Sequence, residues 1–412
     1  MNEMATKSEN VSLPWVVVGG GMVGGAMALA IAESGRRVVV LEPYPETEFA
    51  INSAYDLRIS AITADNIALL ESLGVWPQVQ ALRAQPFMQL AVREQGSEWL
   101  SFASETSQPL GYMVENKALQ SVLTERLRTH ALVDYRTEGF TSIVAAKPQV
   151  QIKNGVGESE QPEKSAGYVV TSSGAEIAYQ YLIGADGVNS NVRSAAGIGT
   201  AGSSYQERCL LATVKLAEEI PPETWQIFAG NEVHALLPLA NQQACLILYA
   251  DTAVIKGWPK DAIEAELSER FSKEIGDFQL QNAASFPLKH QHALAYFNSA
   301  LRTLIIGDAA HGVHPLAGQG VNLGLRDVAA VRDLLTQLAD ENINFRVKLE
   351  RALKHRQFEN LAMGQGLDTI ARVFRAQHPV LKFARRSLFS VMAQSKPLRK
   401  FVGRFAGAAF AK

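Results

Sequence analysis

The sequence predicts an α/β fold, with a Rossmann-like domain assembled from separated segments, an interposed antiparallel-sheet domain and a helical C-terminus. Three short apolar runs, each followed by a glycine cluster, are typical of buried parallel strands: Trp15 to Val18, Tyr181 to Ile183, and Leu304 to Ile306. Residues 206 to 256 alternate apolar and polar positions, which indicates an antiparallel sheet with one covered face. From Asn322 to about Val373 the apolar residues recur at helical spacing.

Composition and charge indicate a globular protein that has no general affinity for nucleic acid. The 412 residues suffice for two or three domains, and 47% hydrophobic with 19% charged residues is an ordinary globular mixture. With 39 basic and 41 acidic residues, the net charge of -2 gives no global attraction to nucleic acid, so we expect no nucleic-acid partner. The charge is uneven, however, because ten Lys and Arg but no Asp or Glu follow Asp368.

Cysteine content and the N-terminal residues predict a cytoplasmic location. The two cysteines, Cys209 and Cys245, are too few for a disulfide scaffold, and we expect both to be buried thiols. Residues 1 to 14 lack the basic start of a signal peptide. The uncharged run from Val11 to Ala32 is long enough to span a bilayer. Its five glycines from Gly19 to Gly25 favour a strand, a turn and a helix instead.

The first glycine cluster predicts a dinucleotide site. It matches the GxGxxG pattern, follows an apolar strand and opens a helix-like run. Gly19 would form the turn, Gly21 would let a pyrophosphate approach, and Gly24 would permit close helix packing. Glu42 ends the next strand, where a carboxylate can bind an adenosine ribose and disfavours the 2′-phosphate of NADP. The pattern does not separate NAD from FAD, and a packing turn without a ligand is the alternative.

Two further clusters follow strand-like runs. The segment from Gly184 to Arg193 predicts a strand, a turn and an N-capped helix, for which a purely structural role is the better interpretation in isolation. Residues 307 to 324 contain five glycines and precede a long helix. Such a loop would present free N–H groups at the helix start to an anionic or carbonyl-rich ligand.

Two histidines in the third cluster have the spacing of metal ligands. His311 and His314 lie beside glycine and proline, without an acidic or cysteine partner nearby that would complete a metal site, so we expect no metal. For His311 we expect a structural hydrogen bond. For His314 we expect a position near the ligand or substrate.

The ordered motifs GxGxxG with a distal Glu, GADGxxSxxR and GDAAHxxxPxxGQGxN resemble those of the FAD-dependent aromatic hydroxylases, and the resemblance covers about Pro14 to Leu338. Within that group, three segments are most similar to the ubiquinone-biosynthesis hydroxylases, and among these to the demethoxyubiquinol hydroxylase branch: Asp56 to Ala61, Gly111 to Asn116, and Ser285 to Leu288.

The resemblance implies FAD as cofactor and a role for each matching position. Gly19, Gly21 and Gly24 would hold the FAD pyrophosphate, and Glu42 the adenosine ribose. The remaining implied positions are Arg58 at the phosphates, Asn116 and Gln120 as weaker cofactor contacts, Asp186 and Gly187 beside the pyrophosphate loop, Arg193 as a buried structural partner, Asp308 at the ribityl chain, and Pro315, Gly318, Gln319, Gly320, Val321 and Asn322 at the flavin's pyrimidine edge. His314 and Pro315 would lie nearest the reacting flavin.

The resemblance also implies a reaction. A flavin hydroperoxide formed with O₂ would hydroxylate the ring of a polyprenylated phenol or benzoquinol in ubiquinone biosynthesis, with no nucleophilic side chain required. Helix-start N–H groups after Pro315 would stabilise negative charge on the reduced flavin. A second dinucleotide motif is absent from the sequence, so NAD(P)H would bind transiently as reductant, or another donor would supply electrons. A ubiquinone-biosynthesis complex is a further candidate partner.

Three alternative functions remain open. The chain could hydroxylate a small soluble aromatic compound, or it could be a flavin reductase of isoprenoid double bonds. A non-catalytic subunit that keeps FAD for stability is the alternative outside enzymes. Flavin halogenation is disfavoured because the WxWxIP motif is absent from the sequence.

We assign three regions from these patterns. The FAD-binding domain would comprise residues 1–85, 113–205 and 290–340, and the substrate domain residues 86–112 and 206–289. Residues 341–412 would form the C-terminal helical region, while Lys153 to Ser165 would form a hairpin loop. Residues 369–412 are basic, apolar and aromatic, so they would either lie on an anionic membrane at its inner face or pack on the body with a solvated basic face.

Overall fold

The computed structural model describes residues 12–46, 48–103, 107–146, 166–312, 320–337 and 343–375. In chain order the strands are β1 (Trp15–Val18), β2 (Val38–Leu41), β3 (Ile59–Thr63), β4 (Gln85–Phe87), β5 (Gln89–Glu94), β6 (Leu100–Ala103), β7 (Gly111–Glu115), β8 (Val133–Arg136), β9 (Phe140–Ala145), β10 (Gly167–Thr171), β11 (Glu176–Tyr179), β12 (Leu182–Gly184), β13 (Thr200–Leu216), β14 (Glu223–Ala229), β15 (Glu232–Leu239), β16 (Gln243–Asp251), β17 (Phe278–Ala293), β18 (Phe297–Asn298), β19 (Thr303–Ile305) and β20 (His311–Gly312). The helices are α1 (Met22–Glu33), α2 (Ala64–Ser72), α3 (Trp76–Ala81), α4 (Asn116–Thr129), α5 (Asn191–Ala195), α6 (Thr252–Gly257), α7 (Ile263–Ile275), α8 (Gly320–Gln337) and α9 (Ile343–Arg375).

A six-stranded sheet gathers distant pieces of the chain in the order β18-β19-β12-β1-β2-β8. All its pairs are parallel except β18 with β19. The three apolar runs predicted as parallel strands lie in β1, β12 and β19, within one residue of the predicted bounds. Every residue of β1, β2, β12 and β19 is buried, as expected of a parallel sheet that is covered on both faces.

A second sheet has eight strands in the order β20-β17-β13-β16-β15-β14-β5-β6. The predicted antiparallel pairing is confirmed for β13, β14, β15, β16 and β17, although the other edge of β14 pairs with β5 in parallel. The strand pattern predicted to residue 256 is wrong beyond Asp251. There the Asp251 side chain accepts a hydrogen bond from the Ala253 amide 2.8 Å away, and this cap starts α6.

The eight-stranded sheet has two different apolar faces. One face packs against α7 through a cluster that includes Trp225, Leu246 and Phe271. The opposite face forms a cluster that includes Phe228 and Tyr249, together with residues of β3 and β7. This second face is therefore turned towards the three-stranded sheet β3-β7-β4.

A second three-stranded sheet, in the order β11-β10-β9, is antiparallel. The hairpin loop predicted from Lys153 to Ser165 joins β9 to β10 and lies outside the described residues.

Helices cover the six-stranded sheet. The 12 residues of α1 include ten buried ones, and α1, α4, α8 and α9 contribute to the largest apolar cluster. The helical spacing predicted from Asn322 is confirmed by α8 and α9. None of the helices within the described residues is long and apolar enough to cross a membrane. Of the basic segment 369–412, residues 369–375 end α9, and residues 376–412 lie outside the described ranges.

Candidate functional site

The three glycine clusters meet at one edge of the six-stranded sheet. The Gly19 amide donates to the Leu41 carbonyl at 2.9 Å, and the Ala185 amide donates to the Val18 carbonyl at 2.8 Å. The Ile306 amide donates to the Gly184 carbonyl at 3.0 Å. Because the strands are parallel, their carboxyl ends lie at the same edge, which is where α/β folds bind ligands. The convergence predicted from sequence is therefore present.

Each glycine of the first cluster has a distinct local environment. Gly19 has a φ of +98°, which favours glycine, and a Cβ at Gly24 would lie 1.9 Å from the Gly19 carbonyl oxygen. A Cβ at Gly21 would meet nothing nearer than Gln120 Nε2, 3.5 Å away. Gly21 is also the N-cap of α1, and it forms no side-chain cap there. The turn expected at Gly19 and the close packing expected at Gly24 are present, and the ligand approach expected at Gly21 stays a prediction.

Glu42 lies directly against the first cluster. Its Oε2 accepts a hydrogen bond from the Gly20 amide at 2.7 Å, and its Oε1 accepts one from the Tyr44 amide at 2.9 Å. The half-buried carboxylate is thus held at the end of β2, beside the glycine turn. This is the position at which an adenosine ribose was expected.

The second cluster is built around a capped helix. Ser190 Oγ caps α5 by accepting from the Arg193 amide at 2.9 Å, while Asp186 accepts from the amides of Asn191 and Val192 at 2.7 and 3.2 Å. Arg193 is buried, as predicted, and donates to the Ala309 carbonyl at 2.8 Å. The Asp186 carboxylate therefore stabilises the helix start. Its backbone lies against Gly19, while Gly187, with a φ of +80°, has open space where a Cβ would be.

The third cluster presents an acid from an otherwise buried loop. Asp308 is exposed, whereas Gly307, Ala309, Ala310 and His311 beside it are buried. Although solvent reaches the Asp308 side chain, the protein around it raises the pKa of its carboxyl by desolvation, and His311 and Arg58 oppose that shift. An accessible acid set deeply among buried neighbours is suited to a polar ligand.

The segment from Tyr55 to Ala61 has two faces. The inner face of the eight-stranded sheet is the one turned towards the sheet β3-β7-β4. Alternate residues of the segment pack into the apolar cluster on that face: Tyr55, Leu57, Ile59 and Ala61. Arg58 alternates to the other side and is close enough to Asp308 to lower the pKa of its carboxyl. One short stretch of chain therefore separates a charged region from an apolar one.

The other predicted cofactor contacts differ in what their side chains do. Asn116 is buried, and its Oδ1 accepts from Ser60 Oγ at 2.6 Å, whereas the half-buried Gln120 points towards Gly21. Gly320 and Val321 begin α8, and Gly320 lies near Asp308. The Asn322 side chain is fully buried and ties α8 to β3, because its Nδ2 donates to the Ala61 carbonyl at 2.7 Å.

Part of the predicted site lies outside the described residues. These positions are His314, Pro315, Gly318 and Gln319, and their roles stay predictions. Among the described residues, no group of three or more His, Cys, Asp and Glu side chains could hold a metal ion.

Behind the third cluster lies a buried polar network that was not predicted from sequence. The Asp327 carboxylate accepts four hydrogen bonds: from the Gly307 amide at 3.2 Å, His311 Nε2 at 2.6 Å, Arg356 Nε at 3.0 Å and Asn360 Nδ2 at 3.0 Å. Burial alone would raise the pKa of Asp327, but His311, Arg356 and Asn360 lower it. The structural hydrogen bond expected of His311 is confirmed. The available signal for this network was the position of Asp327, an acidic residue on the buried side of a predicted helix.

A second missed contact is the buried ion pair of Arg83 with Glu115. Arg83 Nε donates to Glu115 Oε2 at 2.8 Å, and its NH1 donates to the carbonyls of Ile51 and Ser53 at 2.8 and 2.7 Å. Glu115 Oε1 also accepts from the Asp56 amide at 2.8 Å. The pair thereby anchors the loop that leads into Arg58.

A model of the FAD binding domain family matches residues 13–342. A 3-demethoxyubiquinol 3-hydroxylase of Escherichia coli is 37% identical over 377 residues, covering 90% of this chain and 92% of that protein. The ubiquinone hydroxylase UbiL of Rhodospirillum rubrum is 30% identical over 401 residues, covering 95% of this chain and 88% of that protein.

Solved structures share the fold at low sequence identity. The p-nitrophenol 4-monooxygenase PnpA of Pseudomonas putida has a TM-score of 0.74 and 18% identity, covering 96% of this chain and 97% of that chain. HpxO of Klebsiella pneumoniae, complexed with FAD and uric acid, has a TM-score of 0.71 and 15% identity, covering 97% and 96%. The predicted α/β fold with a helical C-terminus is therefore confirmed.

Proposed function

Because this chain belongs to the FAD binding domain family, we propose that it is the FAD-dependent monooxygenase that hydroxylates the ring of a polyprenylated phenol or benzoquinol in ubiquinone biosynthesis. A demethoxyubiquinol is the preferred substrate, since the 37% identical relative is a 3-demethoxyubiquinol 3-hydroxylase. The observation that carries the proposal is the meeting of three glycine-ended strands beside an apolar sheet face.

The residues at the sheet edge fit an extended dinucleotide such as FAD. The open approach at Gly21 and the start of α1 suit the pyrophosphate, and Glu42 lies where the adenosine ribose would be. Asp308 would bind the ribityl chain. The start of α8 at Gly320 and Val321 would offer N–H groups and a partial positive charge to the flavin's pyrimidine edge. Arg58 would contact the phosphates.

When bound, FAD supplies the oxygen chemistry: once reduced by an external donor, it activates O₂ for transfer to an electron-rich ring. The protein's own contribution is to orient the two reactants and to exclude water. No side chain need act as a nucleophile.

The aromatic substrate would bind beside the segment from Tyr55 to Ala61, next to the inner face of the eight-stranded sheet. Residues of the inner apolar cluster, among them Phe228 and Tyr249, would pack against the ring and the first isoprene units. A polyprenylated ring fits this position because Leu57 and Ile59, the residues on either side of Arg58, pack against the same apolar cluster.

The proposal also includes the expectations for residues outside the described ranges, for the reductant, for the domain boundaries and for partner proteins. His314 and Pro315 would lie near the reacting flavin, and the segment 369–412 would contact an anionic membrane surface. NAD(P)H would bind transiently as the reductant. The FAD-binding and substrate domains would have the boundaries assigned from sequence, and the protein would join a ubiquinone-biosynthesis complex.

Quinone intermediates measured by mass spectrometry in cells lacking this protein test the proposed function. We expect a precursor that is one oxygen short to accumulate, and a plasmid-borne copy to restore ubiquinone. With the purified protein, one atom from ¹⁸O₂ should enter the ring of that precursor. A normal quinone profile in the deleted strain would overturn the pathway. Hydroxylation of only small soluble aromatics would favour the first alternative, and double-bond reduction without O₂ uptake would favour the second.

A further inference from the structure

We propose that Arg356 of α9 is a positioning residue for the cofactor site, acting through Asp327 on the loop 307–311 that carries Asp308. The inference rests on the proposed FAD site, because Asp308 is expected to bind the ribityl chain. It assigns a role to a side chain that lies far along the sequence from the glycine motifs.

One carboxylate fixes both ends of this loop. Asp327 Oδ2 accepts from the Gly307 amide at 3.2 Å and from His311 Nε2 at 2.6 Å. Asp308 lies between these two anchors and is the exposed residue of the loop. The position of the Asp308 carboxylate therefore depends on where Asp327 is held.

Arg356 in turn holds Asp327. Its Nε donates to Asp327 Oδ1 at 3.0 Å, and its NH2 donates to Asn360 Oδ1 at 2.6 Å. Asn360 Nδ2 returns a hydrogen bond to Asp327 Oδ1 at 3.0 Å. Arg356 is 8% exposed and Asp327 is 0% exposed. Removal of the guanidinium would leave a buried carboxylate without the charged donor that contacts its Oδ1, a costly state that the network would relieve by moving.

Close packing transmits such a movement to the cofactor loop. A Cβ at Gly324 of α8 would lie 3.1 Å from the Gly307 Cα and 2.6 Å from Val23 Cγ2 of α1. The loop is therefore pressed between the two helices whose N-terminal ends face the proposed cofactor. Because there is no free space around Gly307, we expect a displacement of Asp327 to displace Gly307 as well.

The test is FAD affinity, measured by titrating each apoprotein and following flavin fluorescence. We expect Arg356→Met to raise the FAD dissociation constant about ten-fold or more, and Arg356→Lys to recover most of the loss. Asp327→Asn should weaken FAD binding similarly, and adding Arg356→Met to it should change the constant by less than about two-fold. At saturating FAD, the visible absorption bands of the bound flavin should also shift in Arg356→Met.

The matched control is Arg351→Met, the same substitution at an exposed position of α9, which should bind FAD as the unmodified protein does. Equal FAD affinity of the Arg356→Met and Arg351→Met proteins would overturn the inference. Additive effects of the Asp327 and Arg356 substitutions would do the same. If instead the unmodified protein bound no FAD, the proposed cofactor site itself would be wrong.

Discussion

Gly24 lies so close to Gly19 that a Cβ at Gly24 would be 1.9 Å from the Gly19 carbonyl oxygen. The first turn of α1 can approach the end of β1 only because this side chain is absent. We predict that Gly24→Ala destabilises the apoprotein by about 3 kcal/mol, since backbone cannot yield as a flexible side chain does. Chemical denaturation of the apoprotein measures this. Gly257→Ala, at an open helix position, is the control, and equal losses in both would refute the packing role.

A substitution at Gly21 should weaken ligand binding without affecting the stability of the fold. A Cβ there meets only Gln120 Nε2 at 3.5 Å, which is ordinary contact, so Gly21→Ala should leave the melting temperature of the apoprotein unchanged. The same methyl would stand in the path of the pyrophosphate. We predict that the FAD dissociation constant rises roughly ten-fold or more, which is about 1.4 kcal/mol. Unchanged FAD affinity in this variant would place the pyrophosphate elsewhere.

Cys209 and Cys245 should be inert towards thiol reagents in the folded protein. Both are buried and free, and burial raises the pKa of both thiols, that of Cys245 to about 12. The thiolate is the reactive form, so little of it exists at pH 8. We predict slow labelling by Ellman's reagent in the native state and two rapidly reacting thiols after denaturation. Rapid labelling of the native protein would contradict their burial.

The ionised Glu232 carboxylate should stabilise the folded protein, and this contribution should be lost at acid pH. Burial alone would raise its pKa, but hydrogen bonds from His234 and Arg270, both 2.9 Å long, lower it to about 2 from the ordinary 4.5. A depressed folded-state pKa means that this stability is present above pH 4.5 and is lost as pH falls towards 2. We predict that Glu232→Gln costs about 1 to 2 kcal/mol at pH 7, allowing for solvent screening.

Denaturation curves between pH 2 and pH 7 check the Glu232 prediction. The variant should lose the part of the acid-side slope that Glu232 causes, because its amide does not titrate. The exposed Glu219→Gln serves as the matched control and should keep the slope. A Glu232→Gln protein with the slope of the unmodified protein would contradict the prediction.

The sequence predicted the parallel sheet and its glycine turns because these features are local. The GxGxxG pattern, a buried strand before it and Glu42 after the next strand are each visible in a short window of residues. The parallel pairing of β14 with β5 was not predictable in this way, because it joins segments more than a hundred residues apart. The end of the strand pattern at Asp251 was missed because a single side-chain cap decided it.

The same contrast holds within the site. Asp308 and Glu42 follow strands and were identified from their motifs, whereas Arg356 reaches the cofactor loop only through the packing of α9 on α8. Asp327 was not predicted from sequence as part of the site, because the four donors that share its carboxylate come from the loop 307–311 and from α9. Such long-range polar contacts have no local pattern from which to be predicted.

Titration of the purified apoprotein with FAD tests the central claim most directly. If the three converging strand ends form one flavin site, the protein should bind one FAD per chain, turn yellow and quench the flavin's fluorescence with a sharp end point. A protein that is colourless once the excess FAD has been removed by gel filtration, or that binds FAD no better than the Gly21→Ala variant, would contradict the account.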